Sequence, residues 1–214
     1  MLQFPRIGKL SKDANKARVK NEGGRMFLPY DKLQGFVTPE EVDLCFQEAD
    51  ISDPNLVEFV LKSAKRLFLL LILMSDGKEQ KLSLLEDFAH ENINDAVLPI
   101  EIKDGEDGEQ YGFSLPDGPR FSIFRDWSDR DVRDFETLQY MLNVPVFDSS
   151  RFQFHFQGKE ILPYLGIVTK AAEVSEGFFG EVSKIEIHPA HIPAIKAVSV
   201  LSLCISPTPS PRVN

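Results

Sequence analysis

The residues best suited to chemistry lie near the carboxyl end of the chain. A glycine-containing segment, Val174-Ser175-Glu176-Gly177-Phe178-Phe179-Gly180-Glu181-Val182, is followed by Ala194-Ile195-Lys196. Glycines let backbone N–H groups approach phosphate oxygens, and a lysine supplies a point charge for the same oxygens. The pattern predicts a phosphate-binding hairpin. The other interpretation is an ordinary hairpin turn, with Lys196 an incidental strand residue.

This pairing resembles the glycine-rich loop and strand lysine of a eukaryotic-type protein kinase. Leu162-Pro163-Tyr164 before the loop and Lys184–His191 after it are similar to segments of fungal protein-kinase-domain proteins with a helical N-terminal extension. The extension of those proteins often includes a W…D…F segment, which Trp127, Asp134 and Phe135 resemble. The resemblance is specific over residues 161–190 and looser over residues 26–190.

The resemblance implies a site for ATP at the hairpin. Its lining residues would be Val174, Gly177, Phe179, Gly180 and Val182, with Lys196 on the phosphates. Ser175 stands where the family has its first glycine, and a side chain there restricts the loop backbone. We therefore expect ATP binding to be weak.

Catalysis by this family depends on acidic residues that follow the lysine. A glutamate holds the lysine, one aspartate binds magnesium, and another orients the substrate hydroxyl. Between Glu186 and Asn214 the sequence has no Asp or Glu. We expect no activity from this chain alone, no catalytic residues and no metal site of its own.

Two functions stay open on this evidence. In the first, the chain is a kinase-related, catalytically incomplete protein of the pseudokinase kind, an intracellular interaction or regulatory module in signalling. In the second, it is the N-terminal portion of an active Ser/Thr protein kinase whose catalytic lobe is missing from this chain. A protein partner is expected for the first, and the oligomeric state stays open.

His188 and His191 form a second pattern, H-P-A-H. Three-residue spacing suits a metal, but no local cluster of cysteine, histidine or carboxylate ligands accompanies the pair. The pattern therefore predicts a turn that carries exposed histidines.

Charge and hydropathy limit the partners. The net charge is −9, while residues 1–25 hold seven Lys or Arg and two acidic residues. The acidic body argues against nucleic-acid and anionic-membrane binding. Leu67–Met74 is the longest apolar run and is too short to span a bilayer. Cys45 and Cys204 are expected to be buried free thiols, and the protein is expected to be cytoplasmic.

The sequence predicts an α+β fold in four parts. A flexible basic arm covers residues 1–25, and a mainly helical extension with short strands covers residues 26–160. A partial kinase-like N-lobe follows over residues 161–205, and a Ser/Thr-Pro tail over residues 206–214. The first part lacks a sustained hydrophobic period, whereas the second has several cap signals.

The cap signals place four helices. They begin at Pro39 after Thr38, at Pro54 after Asp53, after Ser83 and after Ser128. The second of them is expected to continue to Asp76-Gly77, because its apolar residues keep spacings of three and four.

Strand signals follow the helices. Short strands are expected at residues 111–114 and 121–124, and a strand at residues 151–156 with three phenylalanines on one face. The uncharged run Ala197–Ile205 is β-prone, so we expect the helical region or a partner to cover it.

Overall fold

Helices and small antiparallel sheets alternate along the chain. The computed structural model describes residues 5–75, 81–114, 118–147, 156, 158–170, 181–192 and 200–205. Within this part seven α-helices combine with three antiparallel sheets, so the predicted α+β class is confirmed. The helices are α1 (Pro5–Lys16), α2 (Tyr30–Phe36), α3 (Pro39–Glu48), α4 (Pro54–Ser63), α5 (Lys65–Met74), α6 (Leu84–His90) and α7 (Asp129–Leu142). The strands are β1 (Val19–Lys20), β2 (Met26–Phe27), β3 (Ile100–Asp104), β4 (Gln110–Ser114), β5 (Arg120–Phe121), β6 (Tyr164–Lys170), β7 (Glu181–Ile187) and β8 (Val200–Ile205).

Side-chain caps fix the starts of three helices. Thr38 and Ser128 each accept a backbone N–H from the third residue on, at 3.2 Å, and begin α3 and α7. Asp53 accepts from the second residue on, at 2.8 Å, and begins α4. These starts are confirmed predictions. Ser83 precedes α6 as predicted, but its side chain makes no cap hydrogen bond.

Helix α5 lies at the centre of the helical body. Nearly all of its residues are buried, namely Leu67, Phe68, Leu69, Leu70, Leu71, Ile72 and Met74. A helix that is apolar all round must be covered on every side, and α1, α2, α4 and α7 pack against it. Among the described residues, no helix has both the length and the apolar character needed to cross a membrane.

The helix expected from Pro54 to Asp76 is divided in two in the structure. Ala64 leaves helical geometry with φ −134° and ψ 34°, and α5 begins at the next residue. The prediction of one continuous helix was wrong, because the periodicity of the apolar residues continues through the break.

The break is stabilised by a residue far away in sequence. Asp95 precedes β3, and its carboxylate accepts the backbone N–H groups of Arg66 (2.9 Å) and Leu67 (3.1 Å). Its own N–H donates to the carbonyl oxygen of Ser63 at 2.8 Å. Asp95 therefore caps the start of α5 and satisfies one carbonyl at the end of α4. Burial raises the pKa of Asp95.

Residues 5–25 form a helix and a short hairpin, instead of the flexible arm that the sequence predicts for residues 1–25. Helix α1 buries Ile7, Leu10 and Ala14, which share one face at spacings of three and four. The backbone N–H of Arg6 donates to a carboxylate oxygen of Glu48 on α3 at 2.7 Å. Charged and polar residues lie between these apolar positions, so the helical period is weak in the sequence.

A glutamine joins helix α7 to the sheet β3–β4–β5. Gln139 is fully buried, and its side-chain amide binds both the N–H and the carbonyl group of Ile100. Its Oε1 accepts the N–H of Ile100 at 2.7 Å, and its Nε2 donates to the carbonyl of the same residue at 2.7 Å. The amide thus supplies the hydrogen bonds that a neighbouring strand would give to β3.

An aromatic cluster fills the space between α6, α7 and the same sheet. Its members are Phe88, Phe124, Trp127 and Phe135, with ring centroids 4.9 to 6.2 Å apart. Gly112 on β4 lets Phe124 approach, since a Cβ there would lie 2.4 Å from its ring. In the W…D…F segment, Trp127 and Phe135 therefore serve packing, while Asp134 pairs with Arg130 at 3.6 Å.

The short strands around residues 111–114 and 121–124 are present in part. Strand β4 includes the first of these segments, and β5 ends at Phe121. The predicted strand at residues 151–156 lies outside the described residues except for Phe156.

We expect Asp95→Ala to lower the free energy of unfolding by about 2 kcal/mol, because two partly buried N–H groups lose their acceptor. The matched control is Asp53→Ala, which removes a solvent-exposed cap and costs about 1 kcal/mol. Urea unfolding followed by circular dichroism measures both. An Asp95→Ala loss no larger than that of the control contradicts this account of the helix break.

Candidate nucleotide site

The third sheet holds the strands on either side of the glycine-containing segment. Its order is β6–β7–β8, and both neighbouring pairs are antiparallel. The β6–β7 register runs from Tyr164 opposite Ile187 to Lys170 opposite Ser183. Residues 171–180 therefore connect two adjacent antiparallel strands. Either interpretation of the sequence, a phosphate-binding hairpin or an ordinary one, requires this topology.

One of the predicted nucleotide residues lies within the described part of the chain. Val182 is in β7, the middle strand, and its backbone is opposite Cys204 of β8. The other predicted residues, Val174, Gly177, Phe179, Gly180 and Lys196, lie outside the described residues. Their contacts with a nucleotide stay a prediction.

The start of β6 is held by the hairpin β1–β2. The backbone N–H of Glu22 donates to the carbonyl of Tyr164 at 2.8 Å, and the amide of Asn21 donates to Leu162 at 2.9 Å. Arg25 donates to the carbonyl of Glu160 at 2.9 Å. Residues near the amino end of the chain therefore fix the Leu162-Pro163-Tyr164 segment in place.

The end of β7 is held by a buried histidine. His191 is 1% exposed. Its Nδ1 lies 2.9 Å from the carbonyl oxygen of Pro145, and its Nε2 accepts the backbone N–H of Tyr30 at 3.2 Å. Because the carbonyl requires a donor and the N–H an acceptor, the ring is neutral with its proton on Nδ1. The ring also packs edge-on against Phe27, with centroids 5.4 Å apart.

The H-P-A-H pattern is therefore only partly as predicted. A 3-10 turn forms over Pro189–His191, but His191 is buried and His188 is half-buried. Nδ1 of His188 accepts the N–H of Ala190 at 3.2 Å within the turn. The expectation of exposed histidines was wrong, because the turn packs into the helical body. In the described part of the chain, no group of three or more His, Cys, Asp or Glu residues could hold a metal ion.

Burial controls the titration of this histidine. The pKa of His191 is lowered to about 4, mainly by burial and to a smaller extent by the nearby His188, whereas the hydrogen bond to Pro145 raises it. The pKa of His188 is also lowered by burial. Protonation of His191 would place a second N–H donor against the N–H of Tyr30. The contact between the end of β7 and the helical body therefore requires the neutral ring.

A small apolar cluster lies beside His191, between β7 and the segment that follows α7. Phe147, Ile185, Ile187 and Ile192 are buried together, and Phe156 and Tyr164 pack against them. Ile185 and Ile187 alternate along β7 and so share one face of the sheet. This face lies against the segment that follows α7.

Cys45 is a buried free thiol on α3, as the sequence predicts. Burial raises its pKa to about 12, with smaller contributions from Glu41 and Glu48. A thiol with this pKa is not a nucleophile at neutral pH. The side chain of Cys204 lies outside the described part of the chain.

Comparison with protein-family models, with curated proteins and with solved structures finds no match for this chain. The relationship to protein kinases therefore stays a prediction from the sequence.

We expect stability to fall as the pH drops from 7.5 to 5, in part through His191. Its pKa is about 4 in the folded chain and near 6.5 when unfolded, so the unfolded state takes up the proton first. Between pH 7.5 and 5 this contribution amounts to about 2 kcal/mol.

The control for this effect is His191→Gln, whose amide can donate and accept but does not titrate. We expect the difference in unfolding free energy between wild type and variant to shrink by that amount as the pH falls. Urea unfolding at several pH values measures it. A difference that does not change with pH would show that the ring is not held neutral.

Proposed function

We propose that this chain is a kinase-related interaction module with a weak ATP site. A helical body binds a protein partner, and the glycine-containing hairpin of the attached sheet takes up the nucleotide. The sequence motif around residues 174–182 and its lysine supply the reason for ATP rather than another ligand.

One observation carries this proposal. The antiparallel pairing of Lys170 with Ser183 brings the two ends of residues 171–180 together at the end of the sheet. A glycine loop that covers phosphates needs two such strands as its base, and a further strand for the lysine. Strand β8 lies beside β7, and its first residue, Val200, pairs with Glu186, at the end of the sheet away from residues 171–180. The paired strands of the hairpin therefore carry the proposal, and the contact of Lys196 with phosphate rests on the sequence motif alone.

Binding rather than phosphoryl transfer is the proposed activity. Transfer needs carboxylates that hold magnesium and orient the substrate hydroxyl. The segment with the specific resemblance, residues 161–190, contains the predicted phosphate-binding hairpin, so nucleotide binding is the activity proposed for it. The helical body, by contrast, is hydrogen-bonded to the segments at both ends of the sheet, at Tyr164 and at His191.

We expect isothermal titration calorimetry to show ATP-Mg binding with a Kd on the order of 1 mM. Lys196→Ala should weaken binding about tenfold, because a charge-assisted contact with phosphate is lost. Lys12→Ala removes an exposed lysine from α1 and should leave the Kd unchanged.

Two results would contradict the proposal in different ways. If millimolar ATP-Mg gives no heat, the hairpin is an ordinary turn and the nucleotide site is lost. If the purified chain transfers the γ-phosphate to a protein acceptor, it is an enzyme and the proposal of an interaction module is wrong.

A further inference from the structure

A cleft with a cationic rim lies where the β1–β2 hairpin, helix α7 and the segment before β6 meet. Its volume is about 690 Å³. Arg18, Arg25 and Lys159 lie along it, with Glu136 as the acidic lining residue. Met26 and Tyr140 contribute apolar surface between these charges. We call this the Arg18 cleft.

The cationic side chains of the cleft are not neutralised by the contacts that hold them. Arg18 is partly buried, and its Nε has no hydrogen-bond partner among the described residues. Arg25 donates to two backbone carbonyl oxygens, those of Lys159 and Glu160, which carry no net charge. A partly desolvated guanidinium is stabilised when an anion comes within hydrogen-bond distance. The cleft therefore favours an anionic ligand.

The apolar part of the cleft narrows the class of ligand. Met26 lies on β2 and is 42% exposed, although methionine is a residue that usually packs inside. Methionine side chains adapt their shape to a bound apolar group. A ligand that fits must therefore carry an apolar group beside its negative charges.

The charge of the whole chain argues for a short anionic segment. The lining of the cleft holds three cationic residues and one acidic residue, whereas the net charge of the whole chain is −9. A long polyanion such as a nucleic acid would extend beyond the cleft along a chain whose net charge is negative, which disfavours its binding. A peptide segment with a few acidic residues avoids this repulsion.

We propose that the Arg18 cleft binds an acidic peptide segment of a partner protein, with an apolar side chain of that segment placed against Met26. The carboxylates of the segment bind Arg18 and Lys159. This inference rests on the proposed interaction function and gives that function a surface and a class of partner.

Fluorescence anisotropy with a labelled peptide of alternating glutamate and leucine tests this proposal on the full chain. We expect saturable binding that weakens as salt is raised. The same peptide with glutamine in place of glutamate should not bind, and one with serine in place of leucine should bind less tightly. A phosphoserine version distinguishes phosphate from carboxylate as the preferred anion.

Two variants of the cleft locate the binding. Arg18→Met keeps the apolar stem and loses the charge, and it should weaken binding about tenfold. Lys159→Met should also weaken binding. Because Lys159 is exposed, this variant should fold normally and still tests the proposal if Arg18→Met does not fold. Lys62→Met, on the exposed surface of α4, is the matched control and should have no effect.

Several outcomes overturn the proposal. They are equal binding of the glutamine peptide, no loss in either cleft variant, and tighter binding of a single-stranded oligonucleotide than of the acidic peptide. The ATP titration is independent of these peptide-binding measurements. If the chain binds ATP but not the acidic peptide, the proposal for the cleft is wrong and the proposed nucleotide site stands. If it binds the peptide but not ATP, only the proposed nucleotide site is wrong.

Discussion

The burial of helix α5 is the constraint on which the helical body depends. The helix has no polar face, so its stability comes from the helices that cover it. Burying one large apolar side chain contributes about 1.5 to 3 kcal/mol, and α5 buries seven of its residues. The start of this helix still has backbone N–H groups that have no partner within the helix. Asp95 accepts two of them, so one carboxylate makes the buried position of the helix possible.

Three polar side chains connect separate elements of the molecule by hydrogen bonds to backbone groups. Asp95 binds the start of α5, Gln139 binds β3, and His191 links the third sheet to Tyr30 and Pro145. Apolar packing tolerates small shifts between elements, whereas hydrogen bonds to backbone groups require one orientation. These side chains therefore set how the elements lie relative to one another, and the apolar cores supply most of the stability.

The sequence predicts the local features of this fold and misses the distant ones. The caps at Thr38 and Ser128 act within three residues, so their helices can be located from the sequence. Asp95, Gln139 and His191 act on residues 28 to 161 positions away, and nothing in their own neighbourhoods indicates a buried partner. The division between α4 and α5 was missed for the same reason, because it depends on Asp95, which is distant in sequence. Of the candidate nucleotide site, the structure describes the two antiparallel strands that the loop joins, and the loop itself lies outside the described residues.

The contact between His191 and Tyr30 also bears on the order in which the protein forms. The two residues are 161 positions apart, and the contacts of Glu22 and Asn21 with Tyr164 and Leu162 span a similar distance. On the ribosome the helical body emerges long before the strands that dock on it. Its docking surface, which includes Phe27, is therefore open to solvent and to chaperones until the last third of the chain has been synthesised.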